Sequence, residues 1–362
     1  MMPDRDILRD ARVMVVGCGA LGNEVLKNLV MCGLGHVVCV DFDRVEADNL
    51  SRSVLFRRSD AVSGRRKVDV MKERLLEMNP ELDVRVVAAD IACDVGLGLV
   101  RDVDAVAGCV DSRWARFMIN RHCMRMNRPW VDGGISLAEG TARVFIPGRN
   151  CYACGLGEEE SASLRRRVSC SNMIRRAERE GKAPTTSITA SVIGAVQARE
   201  LMRLIAGDES SCGRMMWFDG DVPQWGTAAF SAYDDDCPEH DGWGPVEDID
   251  LSAADTVSEL FAALPEGAVW LLRDDCFVDC IVDKCSDLRH EVLLPGRRVE
   301  AYVKENFEGM TTADFYQNEY RVIDGRFPYP GLSLSRIGVP ERDVLHLIYD
   351  GEDHYLGLRE ER

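Results

Sequence analysis

The chain has 362 residues, 61 acidic and 44 basic side chains, a formal net charge of −17 and 14 cysteines. That length suits two or three domains with a real core, and 46% hydrophobic against 29% charged residues excludes a disordered chain. The acidic balance excludes a sequence-independent nucleic-acid binder, and no run approaches the ~18 apolar residues of a membrane span.

Residues 12–147 alternate short apolar runs with amphipathic patterns, as a parallel sheet with crossover helices does. Arg12–Val16 reads as a strand, followed by Gly17-Cys18-Gly19-Ala20-Leu21-Gly22 and a helix with Leu21, Val25 and Leu29 on one face. Val37–Val40 is a second strand ending on Asp41. A further helix carries Val68, Met71, Leu75 and Met78 and stops at Pro80. Val84–Ala88, Val103–Cys109, Trp130–Gly134 and Thr141–Ile146 read as strands, with a helix over Trp114–Met126. Gly155–Lys182 is polar, carries the basic run Arg165–Arg167 and lacks periodicity, so it reads as a long loop or lid. The next helix places Ile188, Val192, Ala195, Ala198, Met202 and Ile205 on one stripe and ends at Gly207. Residues 231–250, dense in Asp, Glu, Pro and Gly, read as a linker. The predicted domains are 1–245, with a crossover loop at 155–185, and a smaller α+β domain at 246–362. Within the latter, a helix lies near Ala253–Leu264, and Val344–Ile348 turns through Asp350-Gly351 into a hairpin.

A glycine loop between a strand and a helix lets backbone approach a ligand closely, and the helix N-terminus favours an anion. Asp41, 22 residues past Gly19, can take a ribose hydroxyl. On these features alone an NAD-dependent oxidoreductase leads, and a ligand-free tight turn is the plain structural alternative. The stretch from Asp41 to Arg52, with Gly64-Arg-Arg-Lys67, shifts the balance toward a nucleoside triphosphate, whose charges require fixed cations and a metal. Arg52 and Lys67 can supply the cations, Asn49 a neutral contact and Asp111 a ligand for Mg²⁺. Each residue alone reads equally as a solvated loop charge or a cap.

Together, Gly17-Cys-Gly-Ala-Leu-Gly22, Asp41-Phe-Asp43, Asn49-Leu-Ser-Arg52, Gly64-Arg-Arg-Lys67 and Cys109-Val-Asp111-Ser112 resemble the ThiF/MoeB/ubiquitin-activating superfamily. Asp132-Gly-Gly134, Gly140–Pro147 and Cys151-Tyr-Ala-Cys154 extend the resemblance over about residues 11–245, with wording similar to the catalytic subunits of ubiquitin-like activating enzymes. It implies an α/β fold: a Rossmann-like adenylation domain with a mixed sheet, which uses ATP and Mg²⁺ to adenylate the C-terminal carboxylate of a ubiquitin-like protein ending in glycine. By resemblance the nucleotide lies against Gly17, Gly19 and Gly22. Asp41 and Asp43 lie at the ribose end, Asn49, Arg52 and Lys67 at the phosphates, and Asp111 on Mg²⁺. A dimer is implied. The family's N-terminal helix with an arginine for the partner's site is here reduced to about ten residues, with Arg5 and Arg9 as weak substitutes.

Cys151-x-x-Cys154 is a metal knuckle candidate. The family closes such a zinc site with a second Cys-x-x-Cys, and here the comparable spacing is Cys237-Pro-Glu-His240, a Cys₃His set suited to structural Zn²⁺. Cys170 sits in the crossover region where thioester-forming members place their nucleophile, and nearby arginines would favour its thiolate. It would carry the acyl group to a conjugating enzyme, whereas a sulfur-carrier adenylyltransferase or a catalytically silent scaffold would not use it. Cys18, Cys32, Cys39, Cys93, Cys109 and Cys123 read as packing residues, and Cys276, Cys280 and Cys285 as core or incidental. The charged N-terminus, Met-Met-Pro-Asp-Arg-Asp, does not open a signal peptide. Fourteen cysteines then fit a reducing cytoplasm.

Overall fold

The structure, a computed structural model, describes residues 5–157, 159–160, 163–164, 185–222, 224–230, 232–240 and 242–361. They form two compact units. The first holds the residues up to Ala92, Val100–Leu156 and 185–242. The second holds Cys93–Leu99, the described residues between 157 and 164, and those from Trp243 onward.

The first unit is built on eight strands: β1 (Arg12–Val16), β2 (His36–Val40), β3 (Asp83–Val87), β4 (Ala105–Gly108), β5 (Trp130–Ile135), β6 (Glu139–Phe145), β7 (Arg214–Asp219) and β8 (Gln224–Ala229). Their order is β3-β2-β1-β4-β5-β6-β7-β8. The first five pair in parallel and the rest antiparallel, so the sheet is mixed. The order reverses between β1 and β4, where doubly wound sheets open a ligand crevice at their carboxyl edge. β1 sits at the centre because Val13, Met14, Val15 and Val16 are all buried, the continuous apolar run of a strand covered on both faces. Each such side chain contributes about 1.5–3 kcal/mol on burial.

The helices of this unit are α1 (Arg5–Asp10), α2 (Ala20–Met31), α3 (Arg58–Val62), α4 (Lys67–Met78), α5 (Leu97–Arg101, which begins in the second unit), α6 (Arg113–Arg125) and α7 (Ser187–Ile205). α2 buries Leu21, Val25 and Leu29, and α4 buries Val68, Met71 and Leu75, as their spacing predicts; Met78, in the last turn of α4, is exposed instead. α7 meets expectation only in part, burying Ala198 and Met202 of the predicted stripe but not Ala195. Ile188 is 72% exposed, and the buried stripe runs through Ala190, Ile193, Gly194, Gln197, Ala198 and Leu201. The physical reason is close helix packing: a Cβ on Gly194 would stand 2.5 Å from Glu24 Cβ. Gln197 meanwhile spends its amide on the carbonyls of Gly108 and Val131, each at 3.1 Å. A count of apolar residues misses a face made of glycine and a satisfied amide.

The second unit contains two antiparallel-rich sheets. β9 (Val246–Ile249), β10 (Val269–Leu271), β14 (Val322–Asp324), β15 (Val344–Tyr349) and β16 (Glu352–Leu358) order as β14-β10-β15-β16-β9. β11 (Phe277–Asp283), β12 (Arg289–Pro295) and β13 (Phe315–Tyr320) order as β12-β11-β13. Helices α8 (Val257–Ala262), α9 (Gly296–Asn306) and α10 (Leu334–Ile337) complete it. α8 starts on a capping box between Thr256 and Glu259. The β15–β16 hairpin turns on Asp350 and Gly351, both at positive φ (54° and 78°), as a two-residue Asp-Gly loop requires.

Two boundaries differ from the sequence reading. The acidic stretch 231–250 is not linker throughout, since β9 pairs in parallel with β16. Cys93–Leu99, read as part of the first domain, belongs to the second unit. There Val95 and Leu97 are fully buried, Asp94 Oδ1 meets the Arg297 guanidinium at 3.0 Å, and Gly98 N–H donates to Arg342 O at 2.8 Å. Among the described residues no helix is long and apolar enough to cross a membrane.

Candidate functional site

The glycine loop follows β1 and opens α2. Gly17 takes φ +92°, and a Cβ there would stand 2.4 Å from the Cys109 carbonyl oxygen. One on Gly22 would meet Gly17 O at 1.9 Å, so both positions require glycine to seat α2 against the strands. Gly19 is different: a Cβ there would meet nothing within 4 Å. Its missing side chain therefore serves no packing need of the protein, which is what backbone approach to a ligand would look like.

Asp41 follows β2 directly, and its carboxylate reaches back to this loop. Its carboxylate accepts from Cys18 N–H at 2.7 Å and from Asp43 N–H at 2.8 Å. Lys67 arrives from the far side of a long loop. Val45 N–H donates to Arg65 O at 2.8 Å and Lys67 N–H to Asp43 O at 3.0 Å, closing the chain on itself at the start of α4. The Lys67 ammonium then lies 2.7 Å from Asp43 Oδ2 and 4.0 Å from Asp41 Oδ2. Burial raises the Asp41 carboxyl above the usual range, although Lys67 and the two N–H donors pull it down. Burial alone would depress the Lys67 ammonium, but Asp41 and Asp43 outweigh it, so Lys67 stays firmly charged. A buried, obligatory cation thus stands beside two carboxylates.

Asn49 is buried and closes a capping box with Glu46 on the turn Ala47–Ser51. Arg52 follows that turn, its guanidinium donating to Asp48 O at 2.8 Å. The segment that follows the turn is tied to the glycine loop by a residue the sequence does not single out. Asn23, fully buried in α2, donates to Cys18 O and Gly19 O at 2.9 Å each and accepts from Leu55 N–H at 2.9 Å. Asp111 is exposed two residues past Cys109, whose N–H donates to Val16 O at 2.8 Å. Ser112 then caps α6, its hydroxyl accepting from Ala115 N–H at 2.9 Å. Cys170 and the arginines around it lie outside the described residues.

A second unanticipated feature is an ion triad on β5. Asp132 is fully buried and accepts from Arg116 Nε at 2.9 Å and from Arg143 Nε at 3.0 Å. Arg143 also lies over the rings of Phe230 and Tyr152, at 4.8 and 5.3 Å. The Asp-Gly-Gly wording was legible in sequence, but its two arginine partners, at positions 116 and 143, were not.

The Cys₃His set comes together. The ligand atoms of Cys151, Cys154, Cys237 and His240 all lie within 4.8 Å of one another, the one such group among the described residues. Cys151 Sγ is 3.7 Å from Cys154 Sγ and 3.9 Å from Cys237 Sγ, and Cys154 Sγ is 3.4 Å from His240 Nδ1. A tetrahedral zinc with its usual bond lengths sets these edges at roughly 3.8 Å for sulfur–sulfur and roughly 3.6 Å for sulfur–nitrogen. The donor set and its spacing are consistent with zinc. Of the other described thiols, Cys18, Cys39, Cys109, Cys123, Cys276 and Cys280 are buried, Cys32, Cys93 and Cys212 are partly exposed, and Cys285 is exposed.

The model of the ThiF family matches residues 2–239. The chain is 27% identical over 224 residues to the sulfur carrier protein ThiS adenylyltransferase of Escherichia coli, covering 61% of this chain and 83% of that protein. It is 32% identical over 165 residues to ubiquitin-like modifier-activating enzyme 5 of Caenorhabditis briggsae, covering 42% of this chain and 38% of that one. Among solved structures, E. coli MccB with ATP superposes with a TM-score of 0.54 at 25% identity, over 65% of this chain and 68% of that chain. The glycine loop, the buried lysine and these likenesses agree: the chain belongs to the ThiF family, within the E1-like adenylyltransferase superfamily.

Proposed function

We propose that the chain uses Mg-ATP to adenylate the C-terminal carboxylate of a small ubiquitin-like or sulfur-carrier protein. The observation that carries the reading is the buried Lys67 ammonium held by Asp43 and Asp41 beside the Gly17–Gly22 loop, in a family of adenylyltransferases. The substrate carboxylate attacks the α-phosphate. An acyl–phosphate bond forms, the bond from the α-phosphorus to the bridging β-phosphate oxygen breaks, and pyrophosphate leaves; Asp111 would hold a Mg²⁺ that neutralises phosphate charge. Charge grows on phosphate oxygens, so fixed cations such as Lys67 and Arg52 stabilise the transition state more than the ground state. No general base is needed, because the attacking carboxylate is already ionised. Asp41 would take the ribose hydroxyls, and the contact at Gly19 would be backbone to nucleotide.

After adenylation, Cys170 would attack the acyl carbon and expel AMP, storing the activation as a thioester for a conjugating enzyme. The similarity to a ubiquitin-like modifier-activating enzyme favours this branch, and the similarity to a ThiS adenylyltransferase favours direct passage to a sulfur donor. Residues 246–362 would recruit the acceptor in the first case. A dimer is part of the proposal, with a partner chain supplying an arginine that Arg5 or Arg9 supplies weakly; Arg9 is paired with Asp6 at 3.1 Å. Pyrophosphate exchange into ATP, dependent on a carrier ending in Gly-Gly, tests the reaction. A reducible carrier adduct that vanishes in Cys170→Ala while exchange persists identifies the conjugation branch. Thermal stabilisation by NAD rather than Mg-ATP would overturn the adenylation reading.

A further inference from the structure

We propose that Asn120 is a positioning residue of the Cys₃His centre, its single amide clamping the midpoints of both ligand pairs so that the four donors stand assembled. The proposal rests on reading that cluster as a zinc site.

Asn120 lies in α6 and is fully buried. Its Oδ1 accepts from Tyr152 N–H at 3.0 Å, and Tyr152 lies between Cys151 and Cys154. Its Nδ2 donates to the Glu239 carbonyl at 3.2 Å, and Glu239 lies between Cys237 and His240. Because one partner is a backbone donor and the other a backbone acceptor, the amide fits in one orientation, and neither an apolar side chain nor an ionised carboxylate of its size supplies both bonds. The two ligand pairs are 86 residues apart in sequence, so something other than local turn geometry must bring them into register.

The surroundings brace the clamp. Arg121, the next residue, places Nε 3.3 Å from the buried Glu239 carboxylate. Arg116, one turn earlier on α6, is held by Asp132 and by Gly133 O at 3.1 Å, which fixes the helix against β5. Tyr233 stacks on the His240 ring with centroids 4.4 Å apart, limiting how that ligand can turn. Outer residues that orient metal ligands in this way commonly change metal retention by 10–100-fold when removed. Without Asn120, Tyr152 N–H and the Glu239 carbonyl lose their shared partner, and the two pairs lose the hydrogen-bonded link that it makes between them.

The experiment uses the full chain purified with zinc, as wild type, Asn120→Ala and Asn120→Asp. Zinc content is measured by mass spectrometry, and the rate of release by transfer to a pyridylazo-resorcinol dye. Both variants should release zinc about 10–100-fold faster than wild type. Asn120→Asp keeps the size and the acceptor for Tyr152 but loses the donor to Glu239, so it carries the test if Asn120→Ala does not fold. Thermal unfolding separates positioning from ordinary packing. The fall in midpoint caused by Asn120→Ala should be larger with zinc bound than after chelation. Equal falls, or release at the wild-type rate from a folded variant, would overturn the role of Asn120. A wild-type chain that neither contains nor takes up zinc would overturn the metal reading instead.

Discussion

The glycine-loop cluster and the Cys₃His centre are built by opposite means. The first draws Gly17, Gly19, Gly22, Asp41, Asp43 and Lys67 from one continuous run of about fifty residues, and backbone hydrogen bonds and ion pairs within that run place its lysine. The second joins pairs 86 residues apart through one buried amide. A site written into consecutive chain is preformed by strand ends and turns, and its weak point is electrostatic. A site closed by tertiary contact is only as firm as its outermost tie. The two should therefore fail separately.

The largest expected effect is on the first. Lys67→Ala should lower pyrophosphate exchange by about 100–1,000-fold, as loss of one preorganised charge donor does. Its zinc content should be unchanged; a loss of zinc would mean that the two regions are not independent. Next comes the reverse substitution. Cys237→Ala should abolish zinc retention and lower the thermal midpoint by several degrees, consistent with about 2 kcal/mol or more in a domain of this size. Carrier-independent Mg-ATP binding should survive in it. Gly22→Ala sharpens the comparison from the backbone side. With Gly17 O only 1.9 Å from the new Cβ, α2 must shift, and nucleotide affinity should fall about tenfold or more while zinc release stays at the wild-type rate.

The smallest effect is on pH dependence. Burial holds the folded Asp41 carboxyl above its ordinary value, so the native state binds that proton more tightly than the unfolded chain. Its contribution to stability is therefore full below the ordinary aspartate value and is lost as pH rises through the raised one. Nucleotide binding should run the other way, because the proposed ribose contact would use the ionised form. The thermal shift produced by Mg-ATP should shrink as pH falls through the raised value. In Asp41→Asn the shift should be small and independent of pH; a shift that keeps the wild-type pH slope would remove Asp41 from the ribose.

Where local rules govern, the sequence was readable. β1, α2, β2 and α4 carry their signals in period and in glycine placement, and the Asp350-Gly351 hairpin in turn chemistry. Buried polar residues were not readable. Asn23, Asn120 and Gln197 look like surface positions in a helical pattern, yet each is fully buried because backbone groups from distant segments satisfy its amide. The partners that make this affordable come only with the fold. The same holds for Arg116 and Arg143, which are ordinary charges until Asp132 sits between them.

The segment Cys93–Leu99 sets an order on biosynthesis. Its neighbours Arg273, Arg297 and Arg342–Asp343 are translated some 180 to 250 residues later: Arg273 meets Val95 O, and Leu97 N–H donates to Asp343 at 2.9 Å. When the last strand of the glycine-loop sheet has been made, the Arg273, Arg297 and Asp343 partners of this segment have not. A chain truncated before residue 342 leaves the Leu97 and Gly98 N–H groups without the Asp343 carboxylate and the Arg342 carbonyl that accept from them.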